Sequence, residues 1–258
     1  MHPVLVQIGP LTIRYYGLMY VIAFTVGFFL LAFEVKRKGI PLSRDDLLDL
    51  LLWTIPLAII GARIYYVAFR WDYYGAHPVD ILKIWEGGLA IHGGVLAGTL
   101  TIYMFARVKR VSFWALTDCL APSMILGQAI GRIGNLMNGD AYGTPTTLPW
   151  GIHFPPDSPA GMTYPGQATH PSMIYEMILN LMIFSYLWSI RKRGYKDGFS
   201  TAMYFILYAL ARSLVSFTRG DSLWLGPVRA AHVISAVFVA AFVVFIWRGR
   251  LYRRELKV

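Results

Sequence analysis

The sequence has a single cysteine, Cys119, which excludes an intramolecular disulfide and a cysteine-based metal cage. It is poor in charge: Asp, Glu, Lys and Arg together make 15% of the residues, where ordinary soluble domains have about 25%. Its 14 carboxylates and 6 histidines are scattered, so no metal centre is expected and no cofactor is implied. No glycine-rich stretch ends in Gly-Lys-Ser/Thr after a strand, so the nucleotide loop is also excluded. No basic leader precedes the first apolar run ("MHPVLVQIGPLTIRYYG"), and that run is read as a retained helix. No internal repeat is evident, against the transporter folds built from duplicated halves.

What is present is apolar. Hydrophobic residues make 56% of the 258, and the mean hydropathy is +0.50. The net charge of +10 falls in short basic clusters between apolar runs, which is membrane topology and not a nucleic-acid-binding face. Spanning the hydrocarbon takes about 20 apolar residues. Seven runs qualify, at roughly 12–33, 47–69, 89–106, 112–130, 172–190, 199–217 and 230–247. The segments "EVKRKGIPLSR", "RVKR", "RKRGYKDG" and "RGRLYRRELKV" hold 16 of the 24 Lys and Arg, against 6 in the segments between them. The expectation is therefore an all-α, polytopic membrane protein with its N-terminus outside and its C-terminus in the cytoplasm. Residues 1–258 would form one integral membrane domain, with 131–170, rich in Gly, Pro and Thr, as a small external cap.

Polar residues within the runs are costly and mark function. Counted along the seven helices at about 1.5 Å per residue, Tyr16, Arg63, His92, Arg132, Glu176, Arg212 and His232 all fall in the outer half, and Asp118 alone lies near the cytoplasmic end. Arg63, Arg132 and Arg212 against the one carboxylate of Glu176 call for an anion, and guanidinium matches phosphate oxygens in pairs. A phospholipid headgroup in the outer leaflet meets that demand. "GGLAIHGG" (87–94) sets His92 among glycines, where a ligand can come close to the backbone. "GRIGNLMNGD" (131–140) reads as a helix end with Arg132, Asn135 and Asn138 on neighbouring turns, followed by Asp140. "ARSLVSFTRGDS" places Arg212 and Arg219 seven apart, two turns along one helical face.

Together with "YYGLMY" (15–20), "GARIYYV" (61–67) and "HPSMIYE" (170–176), these motifs resemble the prolipoprotein diacylglyceryl transferase family, in the family's order and over nearly the whole chain. The resemblance implies a transferase of the bacterial inner membrane, multi-pass, with its active site towards the outer leaflet. Its partners would be phosphatidylglycerol, other membrane lipids and the lipobox cysteine of preprolipoprotein signal peptides. The diacylglyceryl group would pass to that cysteine thiol as the first step of lipoprotein maturation, forming a thioether and releasing glycerol phosphate.

The resemblance marks Tyr16, His92, Arg132, Asn135, Arg212 and Arg219 as residues that matter for activity. Among the catalytic candidates, Arg132 and Arg212 would hold the phosphate and stabilise the charge developing on it. His92 would take the thiol proton, histidine titrating in the right range, or else hydrogen-bond the headgroup or a neighbouring side chain. Tyr16, Asn135, Asn138 and Asp140 would orient the headgroup or the arginines, and Arg219, Glu176 and Arg63 would complete the substrate-binding set. Two positions depart from the family pattern: Asp140 and Ser216 stand where glutamate is usual. Glu176 is the expected substitute partner for Arg212. The competing classes are a transporter or binding protein for an anionic solute or lipid, a seven-helix receptor, and a catalytically inert relative.

Overall fold

The computed structural model describes residues 3–9 and 11–253, so Arg254 and Lys257 of the basic tail lie outside the described residues. Seven helices are long and apolar enough to cross a membrane. They are α1 (Tyr15–Lys38), α2 (Arg44–Ala68), α4 (Ile91–Val108), α5 (Phe113–Asn138), α7 (Ser172–Ile190), α8 (Phe199–Ser216) and α9 (Ala230–Gly249). Two short helices, α3 (Trp71–Tyr74) and α6 (Pro159–Thr163), lie in the connections. Two 3-10 turns (Pro78–Leu82 and Ile84–Glu86) and three two-stranded antiparallel ribbons complete the described elements, the ribbons being β1 (Val4–Ile8) with β2 (Leu11–Arg14), β3 (Ile152–His153) with β4 (Ala168–Thr169), and β5 (Trp224–Leu225) with β6 (Val228–Arg229). The chain is a mainly helical, polytopic membrane protein, as its apolar runs imply.

The helix ends follow local chemistry. Ser43 and Asp46 form a reciprocal capping box at the start of α2 (Asp46 N to Ser43 Oγ 3.0 Å, Ser43 N to Asp46 Oδ2 2.8 Å), satisfying two otherwise orphaned N–H groups. Lys36, Arg37 and Lys38 close α1, where cations oppose the helix dipole. Pro56 and Pro122 sit inside α2 and α5, a placement that membrane helices tolerate because neighbours can satisfy the freed carbonyl. Several boundaries differ from the apolar runs by a few residues, and two of them change the reading. Residues 11–14 pair as β2 before α1 begins at Tyr15, and α5 continues to Asn138 instead of ending near 130. Hydropathy locates the lipid-facing stretch, whereas the backbone hydrogen bonds of α5 run on through "GRIGNLMN".

The chain divides into two compact units, one of residues 1–31 and 117–258, the other of 32–116. In the first, Ala121 and Ile125 of α5, Ile183, Leu187 and Ile190 of α7, and Phe199, Tyr204 and Ala211 of α8 form one buried cluster. Phe205 of α8 stacks on Phe242 of α9 at 4.6 Å between ring centres. In the second, α2 and α4 pack closely through small residues, with Gly61 and Ala58 of α2 facing Gly93, Ala97 and Gly98 of α4. Small contact residues suit a lipid environment, where apolar side chains gain little by leaving the surroundings and close backbone packing supplies the attraction. The outward faces, with Val21, Phe29, Leu52, Trp53 and Val237 exposed, are those of helices bathed in lipid.

Asp118, the polar residue near the other end of the helices, caps α8 from α5. Its carboxylate accepts from Gly198 N at 3.0 Å, Thr201 N at 2.8 Å and the Thr201 hydroxyl at 2.8 Å. An anion at a helix N-terminus is stabilised by the orphaned N–H groups and the dipole together.

Candidate active site

The segment "GRIGNLMNGD" (131–140) builds the candidate site from the end of α5. The helix carries Arg132, Asn135 and Asn138 at successive intervals of three, so all three project from adjoining parts of its last turns. Gly139 ends the helix with φ +72°, a conformation that side-chain-bearing residues rarely adopt, and its N–H bonds Asn135 O at 2.9 Å. A Cβ there would also stand 2.7 Å from that of Ser158. The turn brings Asp140 back onto the helix. Asn135 Nδ2 donates to Asp140 Oδ1 at 2.6 Å, Asn138 Nδ2 to Oδ2 at 2.9 Å, and Arg132 Nη1 to Asn135 Oδ1 at 3.1 Å. Asn135 thus holds Arg132 directly, and Asn138 fixes the Asp140 carboxylate that holds Asn135. Gly134 lets α1 approach: a Cβ there would lie 2.9 Å from Cδ2 of Tyr16. Tyr16 also accepts a hydrogen bond from the Tyr20 hydroxyl at 3.4 Å.

At the centre stands Glu176 of α7, 0% exposed. Arg132 Nη2 donates to its Oε1, and the Tyr208 hydroxyl of α8 approaches the same oxygen at 3.5 Å. Its Oε2 faces Arg212 Nη1 at 3.8 Å and Arg219 Nη1 at 3.7 Å. Three guanidinium groups therefore surround one shielded carboxylate. Glu176 is the partner of Arg212, the part that Ser216 cannot play; the Ser216 hydroxyl is buried without a hydrogen bond among the described residues.

Arg212 and Arg219 do not share a helical face. α8 ends at Ser216, and Arg219 lies beyond it in a turn. Backbone pairing brings it back: Thr144 N bonds Thr218 O at 2.8 Å, Gly220 N bonds Tyr142 O at 3.1 Å, and the Ser172 and Thr218 hydroxyls meet at 2.9 Å. Arg219 is further held by Asp221, with Nε to Oδ1 at 2.6 Å and Nη2 to Oδ2 at 2.5 Å. Asp221, Tyr208 and Tyr20 are members of this arrangement that the sequence motifs did not single out. Position offered a signal for the first two, since Asp221 follows Arg219 by two residues and Tyr208 precedes Arg212 by one helical turn.

The cluster is graded in commitment. Arg132 is tied to Asn135 and Glu176, and Arg219 to Asp221. Arg212 makes no hydrogen bond among the described residues, and its side chain is 30% exposed. It is the guanidinium most available to an incoming anion.

Arg63 and His92 belong to the second unit. Arg63, expected among the substrate-binding residues, is occupied by the backbone. Nε donates to Ile81 O at 2.9 Å, Nη1 to Gly87 O and Gly88 O at 2.8 and 3.0 Å, and Nη2 to Asp80 O and Lys83 O at 2.5 and 3.5 Å. All five N–H groups of a guanidinium are thereby used, and the charge lies 5.1 Å from the Tyr74 ring centre. Arg63 pins the connection that leads into α4; its depth in the helix was legible, but its partners are main-chain carbonyls brought back by that connection. His92, in the first turn of α4, is exposed, with its ring 6.0 Å from that of Tyr65. In the first unit, His232 Nδ1 meets the Ser213 hydroxyl at 2.7 Å.

Comparison with known proteins identifies the family. The family described as prolipoprotein diacylglyceryl transferase matches residues 3–248. The phosphatidylglycerol–prolipoprotein diacylglyceryl transferase of a Nostoc species is 44% identical over 244 residues, covering 92% of this chain and 86% of that protein. The protein of the same name from Synechococcus elongatus is 41% identical over 252 residues (95% and 86%), and that from Bacillus cytotoxicus 40% over 245 (94% and 90%). The chain belongs to the prolipoprotein diacylglyceryl transferase family.

Proposed function

We propose that this chain transfers the diacylglyceryl group of phosphatidylglycerol to the cysteine thiol of a prolipoprotein, and that the Arg132–Glu176–Arg212–Arg219 cluster binds the phosphate of the lipid. The observation that supports this most directly is the convergence of three arginines on Glu176 with Arg212 left uncommitted. A phosphodiester brings oxygens that a guanidinium can bind in pairs, whereas Glu176 engages Arg212 only at 3.8 Å.

In the proposed reaction the thiol loses its proton and the sulfur attacks the glycerol carbon that bears the phosphate. The carbon–oxygen bond breaks, a carbon–sulfur bond forms, and glycerol phosphate leaves with the electron pair of the broken bond. Negative charge grows on the phosphate oxygens as that bond lengthens. Arginines fixed beforehand by Glu176, Asn135 and Asp221 meet that charge without reorganising, which is where such sites gain most of their rate. Glu176 keeps the three like charges together while the site is empty of lipid, and Asn135, Asn138 and Asp140 hold Arg132 in place. The thiolate is the nucleophile and a free cysteine has a pKa of about 8.5, so a base is needed. His92 is the candidate on its residue type, with headgroup binding as its other role.

The inner-membrane location, the outer-leaflet site, the N-outside orientation, the single-domain organisation and the external cap over 131–170 belong to the same proposal. Of these, the N-outside orientation is supported by the bias of Lys and Arg among the connecting segments. Transfer is tested with purified protein in phosphatidylglycerol vesicles and a lipobox peptide bearing one cysteine, followed by mass spectrometry. The expected product is the diacylglyceryl thioether, absent with Arg132→Ala. A folded wild-type protein that forms no adduct would overturn the proposal, and uptake of organic anions by the same vesicles would replace it with transport.

A further inference from the structure

The ion cluster leaves a set of polar residues beneath it unexplained. Gln128 precedes Arg132 by four residues on α5, Asn180 follows Glu176 by four on α7, and Tyr204 precedes Tyr208 by four on α8. Each interval keeps the same helical face and moves about 6 Å along its helix, away from the end that carries the arginine cluster. The three helices that bring the charges together thus present a second polar set one turn deeper, and this set is neutral. Below it the packing becomes apolar: Ile125, three residues before Gln128, and Ile183, three after Asn180, lie in one buried cluster with Tyr204.

The neutral set has unused hydrogen-bonding capacity. Asn180 is 0% exposed, and neither atom of its carboxamide has a partner among the described residues. Gln128 Nε2 donates to the Tyr204 hydroxyl oxygen at 2.8 Å, while Gln128 Oε1 has no partner among the described residues. A carboxamide buried in this way is unfavourable, and more so at the depth of hydrocarbon, where leucine would fill the same volume at no such cost. A half-turn of the Gln128 amide lets its oxygen accept the Tyr204 hydroxyl proton and frees its N–H groups. Asn180 and Gln128 can then each offer a neutral donor.

We propose that Asn180 and Gln128 form a subsite for the ester carbonyls of the diacylglyceryl group. The inference rests on the phosphate-binding role proposed for the arginine cluster. In a diacyl phospholipid the ester carbonyls lie a few bonds from the phosphate, on the side of the acyl chains. With the phosphate on Arg212, the carbonyls fall in the layer one turn deeper. Neutral donors suit a neutral acceptor there, because a charged donor would compete for the phosphate and would itself need solvation. Held at the phosphate above and the carbonyls below, the glycerol carbon between them is fixed for attack, an orientation effect that binding at one end alone cannot supply.

The test compares diacyl phosphatidylglycerol with its dialkyl ether analogue, which lacks only the two carbonyls. Affinity is read by native mass spectrometry of the full-length protein, and thioether formation is measured in parallel. Wild type is expected to hold the ester lipid about tenfold more tightly, the effect of one to two neutral hydrogen bonds. Asn180→Leu is expected to bring the two lipids to within about twofold, while its thermal stability equals or exceeds that of wild type because an unsatisfied polar group has gone. Equal affinities in wild type would overturn the subsite, as would a preference retained unchanged in both Asn180→Leu and Gln128→Leu. A carbonyl preference without any thioether product would keep the subsite and remove the transferase reading. Thioether formation with no carbonyl preference would do the reverse.

Discussion

Arg132 and Glu176 reach each other from α5 and α7 across 44 positions of the chain, and their contact closes a cluster in which Glu176 also faces Arg212 and Arg219. One carboxylate therefore serves three guanidinium groups. Removing the one carboxylate of a buried ion set leaves its cations uncompensated, which costs about 3–5 kcal/mol. Glu176→Gln is expected to destabilise the protein by about 3 kcal/mol and to abolish most transfer. Thermal unfolding in detergent, set beside the transfer assay, checks both. Unchanged stability and lipid affinity would show that the arginines are held together by something else.

Ser216 tests the same relationship from α8. It lies one turn beyond Arg212, and a glutamate there would share the Arg212 face of the helix. Ser216→Glu in the Glu176→Gln background is expected to recover at least about a third of the lost stability, a coupling typical of residues in one ion network. A double-mutant cycle on unfolding temperature reads it, and simple additivity would reject the exchange of partners.

Arg212 is the least committed guanidinium of the cluster, so its loss should fall on chemistry more than on folding. Arg212→Ala is expected to lower transfer about 10²–10³-fold while shifting stability by less than about 1 kcal/mol. Arg212→Lys keeps the charge but loses paired geometry and should restore only part of the rate. A large fall in unfolding temperature with Arg212→Ala would assign the residue to the scaffold instead.

Asp118 makes the opposite case. Its carboxylate takes the Gly198 and Thr201 N–H groups and the Thr201 hydroxyl, all at the start of α8. Asp118→Ala should destabilise by about 2 kcal/mol, the upper range for losing a helix cap, with transfer per folded molecule preserved. Active-site titration against folded protein separates the two effects.

The connection between α2 and α4 carries a pH dependence of its own. Lys83, and after it the Tyr73 hydroxyl, hold the Asp80 carboxyl below its usual range. A group depressed in the folded state stabilises above its unfolded pKa, here about 4, and that contribution disappears as pH falls through the folded value. Amide protection in residues 78–86, taken relative to the intrinsic exchange rate at each pH, is therefore expected to be flat from neutrality to about pH 5 and to fall below about pH 4. Asp80→Asn should show the lower protection at every pH. Identical profiles for the two proteins would mean that Arg63, bonded to the Asp80 and Ile81 carbonyls, holds the segment without help.

Much of this molecule was legible in the sequence by itself. Seven spans, the helical class and the arginine-rich motifs follow from hydropathy, residue type and spacing, because hydrocarbon tolerates only helices or closed barrels and makes every intramembrane charge conspicuous. Spacing also placed Arg132, Asn135 and Asn138 on adjoining turns, since that relation is local to one helix. Tertiary structure decided which charges meet. Arg63 and Arg212 look alike in the chain, yet the first is consumed by carbonyls of the 80–88 connection and the second is left open beside Glu176. Arg219 reaches the cluster after its helix has ended, through pairing of residues 142–144 with 218–220 that no helical periodicity encodes. Periodicity reports the face of an element on which a side chain lies, whereas its partner depends on where distant segments return, and in this protein those returns give Arg63 a full set of carbonyl partners and leave Arg212 open beside a carboxylate.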